Sequence, residues 1–548
     1  MLSGGFGLHL LERLLIGFIK KVQYIIYKLL KLILSLTTKI YPMRNPKSPI
    51  IKLIKRAFHQ AQYSEFEFDD SRRKFIKNAS FASLAAFVAS DFVSCVTKKD
   101  IKVAVIGGGI AGLNAAHYLN KSGFKPIIYE AAKRTGGRMM SVTGLLADGI
   151  TPELGGEFID SSHKDMLDLC KEFNVGLLDM QTPDEVKKGL IEHDFYFDIH
   201  RITEKSLIEA IKPYLLTIKK DADLIATRNY KNPALIALDK LSLDEYLQKI
   251  GISGWLYELI RISFTSEMGL ESDTQNCLAF ISLLDDNYDN GFDIYGESDE
   301  RYKVIGGNQK VVDALAKALE GQIEREYQLE SLTEKGMEYK LNFQNGKEIY
   351  ADFVIITIPF SVLREVKMNV DMSPKKARCI KELSYGTNSK MFLGMNKRIW
   401  REQGFSGYVL SDLVHNGWDS SQMQMNNEGA GGYSVFFGGK MGNALNDSQI
   451  GDYVNKLNQI YPTMKDQFNG KKGTFNWGNS PHAKGSYACM TVGQQTAFEG
   501  VESEPINSIL FAGEHCSKNS QGYMNGGAET GRKAAEELIR RINGGGKR

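Results

Sequence analysis

The spacing of apolar positions changes several times along the chain, and each change marks an element. Val103-Ala104-Val105-Ile106 is a short β-branched run that stops at Gly107. A helical spacing follows at once, carried by Leu113, Ala116 and Leu119 with Ala115 and Tyr118 beside them. A second strand is predicted over 126–129, and an amphipathic helix around Met166, Leu167, Leu169, Cys170 and Phe173. From about 176 to 300 the pattern is helical, at 207–216, 241–250, 255–262 and 278–284, with few strand signals. A helix over 309–319 and strands near Ile323, 329–332, 339–343 and 353–357 come next. Residues 370–470 mix the two periods, with sheet expected at 390–395 and 433–437. A strand at 509–511 and a helix from Gly522 to about Ile542 close the pattern.

The junction of the first strand and helix reads Gly107-Gly108-Gly109-Ile110-Ala111-Gly112, a Gly-x-Gly-x-x-Gly turn. Strand, glycine turn and helix in that order form the context a dinucleotide fold needs. Gly107 would make the tight turn, Gly109 would let backbone approach a pyrophosphate, and Gly112 would let helix pack on strand. The helix start at Ile110 and Ala111 would turn its positive dipole end to the phosphates. Alone, such a turn also arises for structural reasons. Glu130 then ends the second strand, where a carboxylate would accept hydrogen bonds from a ribose. Gly136-Gly137-Arg138 follows directly, without another full helix. A nicotinamide enzyme has no need of this second glycine turn; a long cofactor with an extended pyrophosphate does.

The run Glu130-Ala131-Ala132-Lys133-Arg134-Thr135-Gly136-Gly137-Arg138, with Glu153-Leu154-Gly155-Gly156 soon after, resembles the flavin-dependent amine oxidase family of monoamine, polyamine and L-amino-acid oxidases. The likeness runs from about 101 to 545 and leaves residues 1–100 unexplained. It implies an α/β fold: a discontinuous Rossmann-like FAD-binding domain (101–175, 301–365 and 471–548) with an inserted sheet-and-helix substrate domain (176–300 and 366–470). FAD is the implied cofactor. Beyond the glycine turns, the resemblance places Gly155, Gly156, Gly513, Glu514, Trp477 and the backbone of Met524 against it, and the backbone near Leu329 against its adenine. On local sequence alone Lys390 reads rather as a lysine snorkelling at a strand end; the resemblance reverses that and makes it correspond to a lysine that holds a water against the flavin's reactive ring nitrogen. Tyr487 and Tyr523 match the two aromatic walls that flank the amine, whose ring quadrupoles stabilise a polarised nitrogen. Ser486 stands where the mitochondrial monoamine oxidases bond a cysteine to the flavin, so noncovalent FAD is expected.

Oxygen is the expected acceptor and a small amine the expected substrate. The run after the second motif, Glu157-Phe158-Ile159-Asp160-Ser161-Ser162-His163, lacks the arginine that clamps a substrate carboxylate in amino-acid oxidases. Asp160 falls where a polyamine oxidase carries a carboxylate, and Glu157 and Asp160 together would favour a cation. Both also read as ordinary acids before a helix, and Arg261 is an arginine that could arrive from elsewhere. An L-amino-acid oxidase, an aromatic amino-acid monooxygenase of the tryptophan 2-monooxygenase type, and a flavin-dependent desaturase or isomerase stay open as alternatives. A non-catalytic flavin-binding protein has no use for Lys390 or a tyrosine pair.

At 548 residues the chain is long enough for two or more cores. Its net charge of +3 conceals a basic leader: residues 1–60 hold eleven Lys and Arg against Glu12, which leaves the chain from 101 onward negative. Nucleic-acid binding by the main body is therefore not expected. Residues 8–40 are apolar but broken by Lys20, Lys21, Lys28, Lys31 and Lys39, the pattern of a basic helix lying on a membrane surface; a start at Met43 would remove it. Ser71-Arg72-Arg73-Lys74-Phe75-Ile76-Lys77 and the uncharged stretch after it resemble a twin-arginine export signal, implying the twin-arginine machinery as partner and a periplasmic or membrane-anchored protein. Cys95 resembles the acylated residue of a lipoprotein site. The remaining cysteines, Cys170, Cys277, Cys379, Cys489 and Cys516, are scattered without metal-ligand spacing, so no metal site is expected.

Overall fold

The structure is a computed structural model that describes residues 101–181, 190–191, 193–282, 299–422 and 429–544. The basic leader, the twin-arginine match and Cys95 lie outside the described residues. Among the described residues no helix is long and apolar enough to cross a membrane.

Five parallel strands form the first sheet, in the order Ile509–Phe511, Phe353–Ile356, Val103–Ile106, Ile127–Glu130, Ile323–Arg325. Both its faces are covered, which is why the first strand reads as an unbroken apolar run rather than an alternation. Val103 and Val105 pack into a core with the helices Ile110–Lys121, Gln309–Ala318 and Met524–Asn543. Ala104 and Ile106 face the other way, into a core with Leu332, Leu341 and Phe343 of a four-stranded sheet. That sheet runs Glu348–Ala351, Glu338–Phe343, Leu329–Lys335, Lys367–Asn369.

The last helix returns to the first. Asn114 Nδ2 donates to the Ala528 carbonyl at 2.7 Å. A side chain at Gly531 would begin 2.1 Å from the Ala111 carbonyl oxygen, so the helices meet backbone to backbone.

The substrate-side sheet has seven strands, in the order Phe468–Asn476, Ser389–Met395, Gly431–Phe437, His415–Asp419, Val409–Ser411, Asp194–Phe197, His200–Arg201. Met391, Leu393 and Met395 enter a core with Trp400, Tyr433 and Val435, while Phe392 packs on the opposite face with Leu146 and Leu154. Lys390 shares the Phe392 face and pairs in register with Phe436 and Phe475 on the flanking strands.

Three details depart from the sequence expectation. The segment 176–300 is not helical throughout: Asp194–Phe197 runs parallel to Val409–Ser411 and joins the seven-stranded sheet. Leu177–Asp179 pairs with Tyr302–Val304 across the expected boundaries at 176 and 301. Phe468–Asn476 crosses the boundary at 471; it is an edge strand with Lys471, Lys472 and two glycines, and such polar edges carry little apolar signal.

Gly531 supplies a test of the helix contact. In an exposed helix, Gly→Ala would stabilise by up to about 1 kcal/mol. Here the new methyl must displace a carbonyl, so Gly531→Ala is expected to lower the thermal unfolding temperature. An unchanged or raised melting temperature would show that the two helices separate at no cost.

Candidate active site

A cavity of about 1040 Å³ opens along the C-terminal ends of the parallel strands and continues to the seven-stranded sheet. This is the crevice where open α/β sheets bind ligands. At its first end the two glycine turns stand back to back. The Gly136 amide donates to the Gly108 carbonyl at 2.8 Å, and a Cβ on Gly109 would lie 3.9 Å from Gly137 Cα. Gly107 has φ +108°, a left-handed conformation in which glycine is favoured, and a Cβ on Gly112 would sit 2.0 Å from the Gly107 oxygen. Glu130 braces the turn: its carboxylate accepts from the Gly108 amide at 2.6 Å and the Ala132 amide at 2.7 Å.

Two helices begin in the cavity wall, and neither has a side-chain cap: Ile110–Lys121 after Gly109, and Met524–Asn543 after Tyr523. Their first amides and dipole ends suit an anion. Arg138 lines the same cavity, donating to the Ser486 carbonyl at 2.7 Å and to Glu514 at 2.9 Å. Glu514 also accepts from the Ala488 and Gly522 amides. Gly155 lies against the Arg138 carbonyl, where a Cβ would approach to 1.8 Å, and Gly156 lies against the Met524 side chain. Trp477 is fixed by its Nε1 donating to the Leu154 carbonyl at 2.8 Å. Gly513 takes φ +133°, and Leu329 lines the cavity beside Tyr327 and Gln328.

At the second end three buried side chains meet. Lys390 Nζ donates to Glu157 Oε2 at 2.9 Å, to the Glu153 carbonyl at 3.0 Å and to the Gly155 carbonyl at 3.1 Å. Lys303 Nζ donates to Glu157 Oε1 at 2.9 Å, and Trp418 Nε1 approaches the same oxygen at 3.3 Å. Burial pushes the Glu157 carboxyl upward, but the two ammonium groups overcome it and bring the group down to about 2. Glu153 behaves in the opposite way. Burial raises its carboxyl to about 7 against the Asn308 amide and Ser141 hydroxyl that it accepts.

Tyr487 and Tyr523 both line the cavity. The Tyr487 hydroxyl donates to the Glu267 carbonyl at 2.5 Å. The Tyr523 ring packs edge-on against His163 with centroids 4.9 Å apart. His163 Nδ1 accepts the Asp160 amide at 2.9 Å, and burial lowers the imidazole to about 4, so the ring is neutral near pH 7. Asp160 Oδ1 accepts the Glu300 amide at 2.8 Å. Arg261 pairs with Glu258 at 2.7 Å and does not line the cavity.

The family model for flavin containing amine oxidoreductases matches residues 110–539. The chain belongs to that family. It is similar to the L-amino-acid oxidase of Bothrops atrox, at 21% identity over 484 residues that cover 81% of this chain and 90% of the relative. The L-amino-acid oxidase of Bothrops pauloensis is 24% identical over 475 residues, covering 80% and 89%. In fold it is similar to cyclohexylamine oxidase from Brevibacterium oxydans, with a TM-score of 0.71, 19% identity, and coverage of 81% of this chain and 99% of that one. Putrescine oxidase bound to putrescine gives a TM-score of 0.68 at 18% identity, covering 80% and 99%.

The protein is thus a flavin-dependent oxidoreductase of the amine oxidase fold, and the cavity fits a flavin carrying a long phosphate arm. Side-chain-free backbone, two uncapped helix starts and Arg138 line one stretch of it, as an anionic, extended ligand requires. Sequence reasoning missed four residues of the site. Gly108 is one, since a Cβ there would lie 3.1 Å from the Glu130 carboxylate; its glycine identity was the available signal. Lys303, Trp418 and His163 gave none, because each acts through a partner distant in sequence or through a ring contact.

Proposed function

We propose that the amine oxidoreductase is an FAD-dependent oxidase of amines. The glycine turns, Glu130, Arg138 and Glu514 would hold the flavin, which when bound would supply the acceptor for a hydride equivalent from the carbon beside nitrogen, with oxygen as the final acceptor giving hydrogen peroxide and the imine hydrolysing to a carbonyl compound and ammonia or an amine. The chain's own residues bind and orient. Tyr487 and Tyr523 line the cavity, and a ring face turned to the nitrogen would be worth about 0.5–2 kcal/mol each. Lys390 supplies an ammonium at a buried point of the cavity wall.

One observation carries the choice of amines. The wall away from the phosphate cradle holds Asp160, Glu267, Asp299 and Glu300, and no arginine among the described residues. Of the two acids singled out in sequence, Glu157 is already compensated by two lysines, which leaves Asp160 as the one that favours a cationic group. A carboxylate would find these acids and, at Lys390, an ammonium whose three donors are already engaged, but no bidentate partner. The reading of an L-amino-acid oxidase draws support from the curated relatives. The two are separated by comparing kcat/KM for tyramine with that for tyrosine. The amine is expected to be better by tenfold or more, and a tenfold preference for tyrosine would overturn the assignment.

Noncovalent FAD is part of the same proposal, supported by Ser486, whose hydroxyl donates to Asn388 Oδ1 at 2.6 Å, and by the placement of the nearby thiols. Cys489 and Cys516 are buried and do not line the cavity. Acid precipitation should leave all yellow colour in the supernatant; colour retained on the pellet would refute this.

Export through the twin-arginine route is proposed from Arg72 and Arg73. Changing both to Lys is expected to retain flavin-loaded protein in the cytoplasm, and normal export of that variant would exclude the route.

A further inference from the structure

Glu157 is shared between two lysines, and only one of them reaches the cavity. Lys390 lines it; Lys303 does not. All three groups are nearly inaccessible, with side-chain exposures of 4% for Glu157, 5% for Lys303 and 6% for Lys390. They come from three separate places: the loop after Gly155-Gly156, the strand Tyr302–Val304, and the strand Ser389–Met395. We propose that Lys303 is a positioning residue for the oxidation, which holds the Glu157 carboxylate so that Glu157 in turn directs the ammonium group of Lys390.

The geometry divides the work between the two carboxylate oxygens. Oε1 is taken by Lys303 at 2.9 Å and approached by Trp418 Nε1 at 3.3 Å; Oε2 is left for Lys390 at 2.9 Å. With Oε1 anchored on one side, rotation of the carboxylate about its last bond would break two contacts, so Oε2 stays aimed at Lys390. Aromatic rings close the flanks. Lys303 Nζ lies 5.3 Å from the Phe158 ring centroid, and Lys390 Nζ lies 5.2 Å from that of Trp418. An ammonium on a four-carbon stem has many rotamers, and a fixed acceptor selects among them.

Charge gives Lys303 a second task. The ionisable groups that face Glu157 are Lys303, Lys390 and Glu153. Burial raises the Glu157 carboxyl and the two ammonium groups lower it. Removing Lys303 takes away one of the two, so Glu157 protonates at a higher pH than before. Below that new value Glu157 is neutral, and Lys390 loses both its counter-charge and its direction. In the wild type the two ammonium groups together hold the Glu157 carboxyl well below its ordinary value, so both are retained. Loss of Lys303 should therefore create an acid limb that the wild type lacks. Glu153, pushed up to about 7 in the wild type, feels the charges of Glu157 and Lys390, so the new limb is read by comparing Lys303→Met and Lys303→Arg with the wild type, which all keep both of those residues.

The inference rests on the reading that Lys390 takes part in the reaction, and the experiment separates the two. FAD-loaded wild type, Lys390→Met, Lys303→Met, Lys303→Arg, Glu157→Gln and the double variant Lys303→Met/Glu157→Gln are compared by rapid mixing for flavin reduction and reoxidation. The same proteins are titrated with acid while the visible spectrum of bound oxidised flavin is followed. Lys390→Met is expected to slow one of the two half-reactions. Lys303→Met should slow the same one by roughly tenfold, as expected of directly coupled groups. It should also bring in an acid limb in both rate and spectrum, and Lys303→Arg should restore the wild-type profile. Glu157→Gln should slow that step too, and adding Lys303→Met to it should change nothing further. Wild-type rates and profile in Lys303→Met, beside a slowed Lys390→Met, would overturn the inference and leave the reading of Lys390 standing. Additive losses in the double variant would overturn it as well, since Lys303 would then act apart from Glu157. No effect of Lys390→Met would overturn both. Should Lys303→Met fail to hold FAD, the double variant decides against Glu157→Gln, because it leaves no uncompensated buried carboxylate.

Discussion

Backbone without side chains holds this molecule together where the two glycine turns meet the last helix. Around residues 107–112, Gly136 and Gly137 approach from the second turn, and Gly527 and Gly531 approach from the last helix. A Cβ at Gly531 would begin 2.1 Å from the Ala111 oxygen and one at Gly112 2.0 Å from the Gly107 oxygen. These contacts bring residues more than four hundred positions apart into one wall. They leave two helix starts uncapped on the same cavity, as an anionic ligand requires. Glu130 and Glu514 then fasten the wall by accepting backbone amides, and Arg138 joins Glu514 to the strand-side loop at Ser486.

What could be read in the sequence follows from the same geometry. A glycine turn between strand and helix is decided by consecutive residues, so Gly107, Gly109, Gly112 and the partner Glu130 declare themselves locally. Strands covered on both faces, such as Val103–Ile106 and Phe353–Ile356, are also plain, because burial forces an unbroken apolar run. Phe468–Asn476 was not, since an edge strand has little to bury. Asp194–Phe197 was too short and too isolated among helical segments to show its period. The Glu157 cluster could not be read at all: its lysines lie 146 and 233 positions away, and no local spacing records such a meeting.

Counting charges along the chain misjudges the site for a related reason. Glu157 and Asp160 read as two equivalent acids three positions apart. Folding gives the first two ammonium partners and the second the Glu300 amide and, 3.3 Å away, the Nε2 of a neutral imidazole. Asp419 also lines the cavity, yet Arg398 holds it at 2.5 Å, so it too adds little to the field there. Asp299 is held by the amide and hydroxyl of Ser161, which are neutral donors. The field that a substrate meets is set by which acids received cations and which received dipoles, and only the fold assigns those partners.

The same accounting of donors constrains Lys390. An ammonium has three N–H groups, and three acceptors take them. Two of these acceptors, the carbonyls of Glu153 and Gly155, belong to backbone pinned by its own contacts: Leu154 donates to the Met140 carbonyl, and Gly155 lies against Arg138. The third, Glu157 Oε2, is the one acceptor of the three on a rotatable side chain. A water, a substrate nitrogen or an oxygen species that draws on Lys390 must therefore displace a partner or share its proton, and the carboxylate is the partner able to yield. Any chemistry performed by Lys390 is thereby coupled to the conformation and charge of Glu157, and through it to Lys303, which does not line the cavity.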